Sequence, residues 1–341
     1  MMKQAKIDDI YVWGYNNNKP ISLTIELNTT CNWNCIHCYI PKHVNNGLNT
    51  DVITKAIYDT RELGGYDLVL TGGEIFLRED LLTIINYART LGMSVSLLSN
   101  ASLLEEKTVN ELKKLNIRSF SSTIFSIHHG IHDSITMRKG SLEKTLDGIK
   151  LLKRFGIPVE IKTPILSINK GEYRMVKQYA EKNKFSFTCS PCVFPMTDGS
   201  KDPLKYSLSC EDLLDVIKDI DQLNKVTYGV YNSDEDICRV IRYSLFINSN
   251  GDVNPCASFP LKVGNVLEKS IKEIWYDSKY YGIRTLKRNR QNECNSCEIS
   301  NYCNSCPGIA FLEKHNYLAC SDINKNIARA RSFASNFYTT H

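Results

Sequence analysis

Short apolar runs alternate with amphipathic segments through the first two-thirds of the chain. The runs are rich in Val, Ile, Leu and Phe, as expected of strands that are buried in a parallel sheet. We predict six strands, at Ser22–Asn28, Tyr66–Thr71, Met93–Ser99, Ile117–Phe125, Pro158–Thr163 and Phe185–Cys189.

Between these runs, apolar residues recur at the spacing of a helix with one buried face. The predicted helices are Thr50–Leu63, Glu79–Leu91, Leu103–Leu115, Ser141–Phe155 and Gly171–Asn183. Such an alternation implies parallel strands joined by right-handed crossovers. The fold class is therefore α/β with six strand–helix units. When such units close into a barrel, the active site lies at the C-terminal ends of the strands.

The alternation ends near Cys189, where three prolines and an Asp-Gly turn indicate a linker. Beyond it we predict a helix at Glu211–Leu223 and a hairpin whose two strands flank Asn250-Gly251. These strands are Tyr243–Asn248 and Asp252–Pro255, and the tail Ile323–Tyr338 has a helical pattern. We therefore predict a first domain at residues 1–205, a second domain at residues 206–322 and a helical tail at residues 323–341.

The composition narrows the class of protein. The 341 residues are 42% hydrophobic and 23% charged, with a net charge of +5. This mild charge predicts no nucleic-acid partner, and the sequence has no apolar run that would predict a membrane span. Ten of the 13 cysteines follow position 188 in a chain too long for a disulfide scaffold. We therefore expect metal ligation in a reducing, cytoplasmic setting.

The most informative motif is the compact triplet Cys31, Cys35 and Cys38, directly after the first predicted strand. Structural 4Fe-4S clusters usually have four cysteine ligands. Three thiolates would leave one iron free to bind a cosubstrate. A zinc knuckle or three buried thiols are the alternatives. The C-x3-C-x2-C spacing resembles that of the radical S-adenosylmethionine (SAM) enzymes, whose fold is an open (βα)6 partial barrel, similar to a TIM barrel.

The resemblance extends to Thr71-Gly72-Gly73-Glu74 at the end of the second predicted strand. In the family, the Gly-Gly-Glu element contacts the amino group of SAM. The implied chemistry is reductive cleavage of SAM to a 5′-deoxyadenosyl radical, which removes a hydrogen atom from a substrate.

Other residues are candidates for binding SAM because they match family positions. Tyr39 corresponds to an aromatic residue beside the adenine, and Ser99-Asn100 would suit a ribose hydroxyl. Ser126 resembles the serine of a strand-end S-x-D-G element, although His128 replaces the aspartate. Arg138 would bind the SAM carboxylate through two hydrogen bonds.

A second field of cysteines occupies the C-terminal third. Cys238, Gly251 and Cys256 fit C-x9-15-G-x4-C, and five more cysteines follow: Cys294, Cys297, Cys303, Cys306 and Cys320. This arrangement resembles the SPASM extension of radical SAM enzymes, which holds two auxiliary 4Fe-4S clusters. One departure is the two-residue spacing between Cys303 and Cys306, where the family has three residues.

The resemblance implies one auxiliary cluster on Cys294, Cys297, Cys303 and Cys320. The other cluster would use Cys238, Cys256 and Cys306. Its fourth ligand is Cys189, Cys192, Cys210 or none, because Asn232 occupies the position that supplies it in some members. A zinc knuckle on Cys294, Cys297, Cys303 and Cys306 is the alternative for this region.

Enzymes with SPASM extensions mostly modify peptides, so we expect a maturase of ribosomally made peptides (RiPPs) that forms a thioether or another crosslink. The alternatives are small-molecule or tetrapyrrole chemistry, peptide epimerisation, and a non-catalytic cluster-binding module. Ala257 occupies the position where sulfatase-maturing enzymes have aspartate, which argues against that activity. Candidate catalytic residues are Asp198, in a segment that resembles peptide maturases, and Glu160 and Lys162, which alternate on a predicted strand.

The expected partners follow from this hypothesis. They are a precursor peptide and an electron donor such as a reductase, flavodoxin or ferredoxin. About 20 residues precede the first predicted strand, too few for a leader-binding domain. Leader recognition would then fall to the barrel edge, the SPASM surface or a separate leader-binding protein.

Overall fold

The computed structural model describes residues 7–336, which form one nine-stranded sheet covered by helices. The strands are β1 (Ser22–Glu26), β2 (Asp67–Thr71), β3 (Ser94–Leu98), β4 (Ser119–Thr123), β5 (Val159–Pro164), β6 (Ser186–Ser190), β7 (Ser244–Ile247), β8 (Asp252–Asn254) and β9 (Gly264–Asn265). The helices are α1 (Ile7–Asn17), α2 (Thr50–Glu62), α3 (Leu81–Thr90), α4 (Glu106–Lys114), α5 (His129–Thr136), α6 (Ser141–Arg154), α7 (Tyr173–Asn183), α8 (Cys210–Leu223), α9 (Ile271–Trp275), α10 (Ser278–Arg284), α11 (Asn292–Asn295), α12 (Pro307–Lys314) and α13 (Asp322–Asn336).

Strands β1 to β6 are parallel and lie side by side in chain order, which confirms the α/β partial barrel. All six predicted strands are present, with ends that differ by a few residues. The core is a continuous apolar layer between the sheet and helices α2, α3, α4, α6 and α7. Because all six strands point the same way, their C-terminal loops meet at one end of the sheet.

Six of the described helices were not predicted: α1, α5, α9, α10, α11 and α12. Helix α5 is only eight residues long and ends at Met137, which has a left-handed backbone conformation. Its sequence HGIHDSIT has too few apolar positions to produce a clear helical pattern. The predicted tail helix is present as α13, and its last two predicted residues, Phe337 and Tyr338, lie outside the described part of the chain.

The predicted C-terminal hairpin is present as β7 and β8, which pair antiparallel. Its attachment to the barrel was not predicted. Strand β7 pairs with β1 in parallel, with Ser22 opposite Ser244, so the extension continues the barrel sheet. At the top of this junction the Asn45 amide donates to Asn250 Oδ1 over 2.6 Å. The hairpin turn is thereby tied to the loop that follows β1.

The tail helix α13 packs against α8 through a charged pair. The Arg331 guanidinium donates two hydrogen bonds of 2.8 Å to the Asp221 carboxylate, and both side chains are largely buried. The Tyr228 hydroxyl donates a third hydrogen bond to Asp221.

No helix within residues 7–336 is both long enough and apolar enough to cross a membrane.

Gly148 provides a test of how tightly α6 packs on the end of β3. A β-carbon at this position would overlap the carbonyl oxygen of Ala101, whereas one at Gly282 in α10 would meet nothing within 4 Å. We expect Gly148→Ala to lower the free energy of unfolding by about 1–3 kcal/mol. The control Gly282→Ala should raise it by about 0.5–1 kcal/mol because alanine favours an exposed helix. Urea unfolding of both variants measures this difference, and equal midpoints would contradict the close packing.

Candidate active site

A cavity of about 810 Å³ opens at the C-terminal ends of the parallel strands. The cysteine triplet lies at its wall with Gly72, Gly73, Ser99 and Asn100. The other wall is formed by the ends of β5 and β6 and by the segment that follows them. This volume is in the upper part of the range of about 300–1,000 Å³ that is common for ligand sites.

Helix α5 holds the cysteine loop in place. The backbone N–H groups of Asn34 and Ile36 donate to the carbonyl oxygens of Thr136 and Ile135 over 3.2 and 3.0 Å. Trp33 packs edge-on against the buried His132 at 6.0 Å between ring centroids. The loop that carries the ligands therefore rests on the end of a helix that the sequence pattern did not predict.

The three thiols of the triplet are partly buried at the cavity wall. Burial raises the pKa of Cys38 to about 11 and also raises the pKa values of Cys31 and Cys35. The charge of each neighbouring cysteine adds to the effect on Cys35. Three thiols that affect one another and face a cavity are a donor set suited to an iron–sulfur cluster.

The glycines of the Gly-Gly-Glu element are required by a contact within the protein. A β-carbon on Gly72 would lie 2.5 Å from Asn28 Oδ1, and one on Gly73 would overlap the carbonyl oxygen of Thr30. The Gly73 and Glu74 N–H groups donate to Asn28 and Thr30 carbonyls at 2.9 and 2.8 Å. Both glycines line the cavity, and their lack of a side chain also allows the loop after β2 to pack against the loop after β1.

Glu74 is completely buried and its carboxylate is occupied by protein donors. It accepts hydrogen bonds from the Ser99 hydroxyl at 2.8 and 2.9 Å, from Asn100 N–H at 2.9 Å and from Phe76 N–H at 3.0 Å. Burial raises the pKa of Glu74, and these hydrogen bonds oppose the increase. Gly72 and Gly73 line the cavity beside it, whereas the Glu74 carboxylate lies behind Ser99 and Asn100 and positions them.

Asn100 connects this arrangement back to the cysteine loop. Its side-chain amide donates to Asn32 Oδ1 over 2.8 Å, and Asn32 donates in turn to Ser102 Oγ over 2.9 Å. Asn32 directly follows Cys31. The ends of β1, β2 and β3 are thus linked by hydrogen bonds around one side of the cavity.

Tyr39 and Lys162 line the cavity on different walls. Burial raises the pKa of the Tyr39 phenol. Lys162 lies 3.4 Å from Glu160, which accepts from Ser121 Oγ at 2.6 Å and Thr188 Oγ1 at 3.1 Å. Lys162 therefore faces the cavity, and Glu160 lies beneath it as the partner of the lysine.

Besides Glu74 and Glu160, three predicted site residues do not line the cavity. The Ser126 hydroxyl is buried and donates to Glu172, and Arg138 is exposed on the turn between α5 and α6. Asp198 is also exposed, and its carboxylate accepts from Ser200 N–H at 2.9 Å in a turn. Their roles in binding SAM or in catalysis remain predictions.

Two histidines of the cysteine loop line the cavity and were not singled out from the sequence. Burial lowers the pKa of His37 to about 4, and its buried Nδ1 has no hydrogen-bond partner in the described part of the chain. His43 Nε2 lies 3.5 Å from Cys38 Sγ. The position of His37 between two cysteines of the triplet was the available signal.

Four C-terminal cysteines surround a separate cavity of about 60 Å³. They are Cys294, Cys297, Cys303 and Cys320. Burial raises the pKa values of Cys294 and Cys303 to about 11 and about 12, and the charges of the other cysteines in this group raise them further. This is the set that the SPASM resemblance implied.

Cys306 belongs to a different group. Its thiol is affected by the charge of Cys238, and Cys256 is affected by both. A zinc ion would need four sulfurs at about 2.3 Å. No three His, Cys, Asp or Glu side chains in residues 7–336 are arranged around a point that would hold one ion. This holds equally for the triplet and for the other four cysteines, so it does not distinguish iron from zinc. The zinc knuckle is disfavoured because Cys306 is affected by Cys238, whereas Cys303 is affected by Cys294, Cys297 and Cys320.

Comparisons with known families match this division of the chain. The model of the radical SAM superfamily matches residues 25–181, and that of the SPASM iron–sulfur cluster-binding domain matches residues 238–298. The chain is a radical SAM protein with a SPASM domain. The cysteines around the two cavities therefore belong to domains that bind 4Fe-4S clusters and SAM in this family.

Relatives of this radical SAM protein have more than one activity. An AdoMet-dependent heme synthase of Methanosarcina barkeri is 26% identical over 332 residues, covering 88% of this chain and 95% of the relative. The subtilosin biosynthesis protein AlbA of Bacillus subtilis is 26% identical over 330 residues, covering 89% and 71%. Streptococcus suis SuiB bound to SAM has the same fold, with a TM-score of 0.72, 18% identity and coverage of 90% and 78%.

Glu74→Gln tests whether the carboxylate positions Ser99 and Asn100 or binds SAM itself. Replacing one acceptor oxygen by an amide should lower the free energy of unfolding by about 1–3 kcal/mol and also weaken SAM binding. Denaturant unfolding and calorimetric titration with SAM measure the two effects, with the exposed Glu79→Gln as the control. Weaker SAM binding at unchanged stability would instead identify a direct contact.

The grouping of the C-terminal cysteines can be tested by iron analysis. Cys297→Ala and Cys320→Ala should each remove the same cluster, about 4 irons per chain, and the double variant should lose no more. If a zinc knuckle held Cys306 instead, Cys320→Ala would leave the metal content unchanged. Metal analysis of the anaerobically reconstituted variants distinguishes these outcomes.

Proposed function

We propose that this radical SAM protein is a RiPP maturase that forms a thioether or another crosslink in a ribosomally made precursor peptide. The proposal includes three 4Fe-4S clusters, one at the triplet and two in the C-terminal extension. It also includes a cytoplasmic setting and a reductase, flavodoxin or ferredoxin as the electron donor. A separate leader-binding protein is a further proposed partner.

The residues of the cavity have distinct proposed roles. Cys31, Cys35 and Cys38 would hold the first cluster, with Gly72, Gly73, Ser99, Asn100 and Tyr39 around bound SAM. Together, the cluster and SAM would supply a 5′-deoxyadenosyl radical able to remove a hydrogen atom from the substrate. Glu74 keeps Ser99 and Asn100 in place, and the apolar walls exclude water from the reacting carbon.

The observation that carries the peptide assignment is the edge strand β6 at the rim of this cavity. Its one strand neighbour within residues 7–336 is β5, and Thr188 and Ser190 line the cavity. The Cys189 carbonyl oxygen accepts a hydrogen bond of 2.6 Å from the Asn224 amide. This bond comes from a side chain and already occupies the Cys189 carbonyl, so an extended peptide would pair with the other outward-facing main-chain groups of β6.

Relatives give further support to a peptide substrate. AlbA is named for biosynthesis of the bacteriocin subtilosin, and SuiB has been solved with its precursor peptide SuiA. Lys162 faces the cavity from β5, where its ammonium group would pair with a carboxylate of the substrate. Glu160 would orient Lys162, and Asp198 remains a proposed base.

A tetrapyrrole is the second candidate substrate. The relative with the heme synthase name matches 95% of its own length, and both Lys162 and Lys225 line the cavity. Two ammonium groups beside apolar walls suit a planar ring that carries carboxylates. Peptide epimerisation is an alternative outcome on the peptide substrate, for which a free cysteine such as Cys189, a buried residue beside the cavity, would donate a hydrogen atom.

The test of the proposed function is anaerobic reaction of the iron-reconstituted protein with SAM and dithionite. Separate reactions contain a candidate precursor peptide or an iron tetrapyrrole with propionate groups. A mass loss of about two hydrogens in the peptide, coupled to 5′-deoxyadenosine, is the expected result for a crosslink. Modification of the tetrapyrrole alone would overturn the peptide assignment and favour the second candidate.

Cys35→Ala should abolish formation of 5′-deoxyadenosine, while about 8 of about 12 irons per chain remain. The auxiliary sites keep their ligands, so only the first cluster is lost. Cys210→Ala is the matched control, because Cys210 is exposed at the start of α8. Continued SAM cleavage by Cys35→Ala would refute the assignment of the triplet.

A further inference from the structure

The segment that follows β6 runs along helix α12 of the extension. A β-carbon at Gly199 would lie 3.7 Å from Cε1 of His315, the residue that ends this helix. Earlier in the same segment, Cys192 lies within range of the charges of Glu313 and Cys306. The barrel segment therefore passes both ends of α12, and Cys306 is the residue that caps its N-terminus.

Three cysteines of the extension come together at this end of α12. The Cys256 loop is held close because Gly308 packs directly on the carbonyl of Ser258, where a side chain would not fit. Cys256 lies within range of the charges of Cys306 and Cys238. The group has three thiols, and the question is which side chain occupies the fourth position.

The structure separates the three candidate cysteines. Cys189 is buried in an apolar cluster with Ile165 and Tyr173, and burial alone raises its pKa. Cys210 is exposed at the start of α8. Cys192 is partly buried, and it is the candidate close enough to another ligand of the group, Cys306, for their charges to interact.

We propose that Cys192 is the fourth protein ligand of the auxiliary cluster held by Cys238, Cys256 and Cys306. Its thiol releases a proton to solvent when the thiolate binds iron. This inference rests on the two auxiliary clusters of the proposed function. It excludes the alternative in which no residue fills the fourth position and one iron stays open to a substrate thiolate.

The position of Cys192 adds a consequence for the reaction. Cys192 also lines the large cavity, whose opposite wall carries the cysteine triplet. A cluster closed by Cys192 would lie directly behind the cavity wall. It could exchange electrons with that site, but a substrate thiolate could bind its iron only by displacing a protein ligand.

The experiment uses the full chain with Cys31, Cys35 and Cys38 all changed to alanine, so that only auxiliary clusters contribute. Anaerobic iron analysis should give about 8 irons per chain. Electron paramagnetic resonance after mild oxidation should show no three-iron signal, because every iron has a protein ligand. Added cyanide should leave the spectrum of the reduced protein unchanged.

In this background, Cys192→Ala should produce a three-iron signal or lower the iron content to about 4 per chain. Cys192→Ser keeps an oxygen ligand and the size of the side chain. It should retain the iron and change the reduction potential of one cluster. Cys189→Ala and Cys210→Ala are the matched controls and should leave iron content and spectra unchanged.

Two results overturn the proposal in different ways. If the background protein binds cyanide and Cys192→Ala and Cys192→Ser have unchanged spectra, the cluster is open and Cys192 is not a ligand. If the background protein contains only about 4 irons, the two-cluster count of the proposed function is wrong, whatever Cys192 does. The cyanide measurement needs no change at Cys192, so it remains decisive if a variant at that position fails to fold.

Discussion

The candidate site depends on a backbone contact that leaves no room for side chains at Gly72 and Gly73. The residues that they contact, Asn28 and Thr30, belong to the loop that leads from β1 into the cysteine triplet. Because the two loops touch through main-chain atoms, their separation is fixed by hydrogen bonds of about 2.9 Å and not by flexible side chains. Any larger residue would push the triplet away from the end of β2.

The same contact sets the position of Glu74, which makes the next connection. A buried carboxylate costs free energy unless it is fully hydrogen-bonded. Glu74 meets this requirement by accepting from Ser99 and Asn100 at the end of β3, and Asn100 reaches Asn32 beside Cys31. Three strand ends are thus held in one arrangement by a polar network, in which loss of one member leaves the others without partners.

Much of this could be predicted from local sequence, and the rest depends on contacts between distant parts of the chain. The six barrel strands, seven of the thirteen described helices and the C-terminal hairpin have regular apolar patterns, so their existence was predictable. Helix α5 is too short and too polar to produce such a pattern, yet it supports the cysteine loop. The parallel pairing of β7 with β1 joins residues more than 200 positions apart, and the pattern of β7 does not identify its partner.

The same limit applies to the side chains of the site. A motif indicates that Glu74 is important, but the sequence does not show which atoms its carboxylate contacts. Arg138 was predicted from its match to a family position and Asp198 from the segment around it, and both are exposed in turns and do not line the cavity. His37 and His43 line the cavity because they share a loop with the triplet.

The buried cysteines show how the fold prepares for metal binding before any cluster is present. Burial raises the pKa values of Cys38, Cys256 and Cys303 to about 11, about 12 and about 12, so the metal-free fold keeps these thiols protonated. Iron binding must then displace their protons, and cluster assembly becomes more favourable as the pH rises. A neutral thiol is inexpensive to bury, whereas an unpaired thiolate is not. The fold can therefore keep these cysteines buried without iron, because their side chains are neutral until iron displaces the protons.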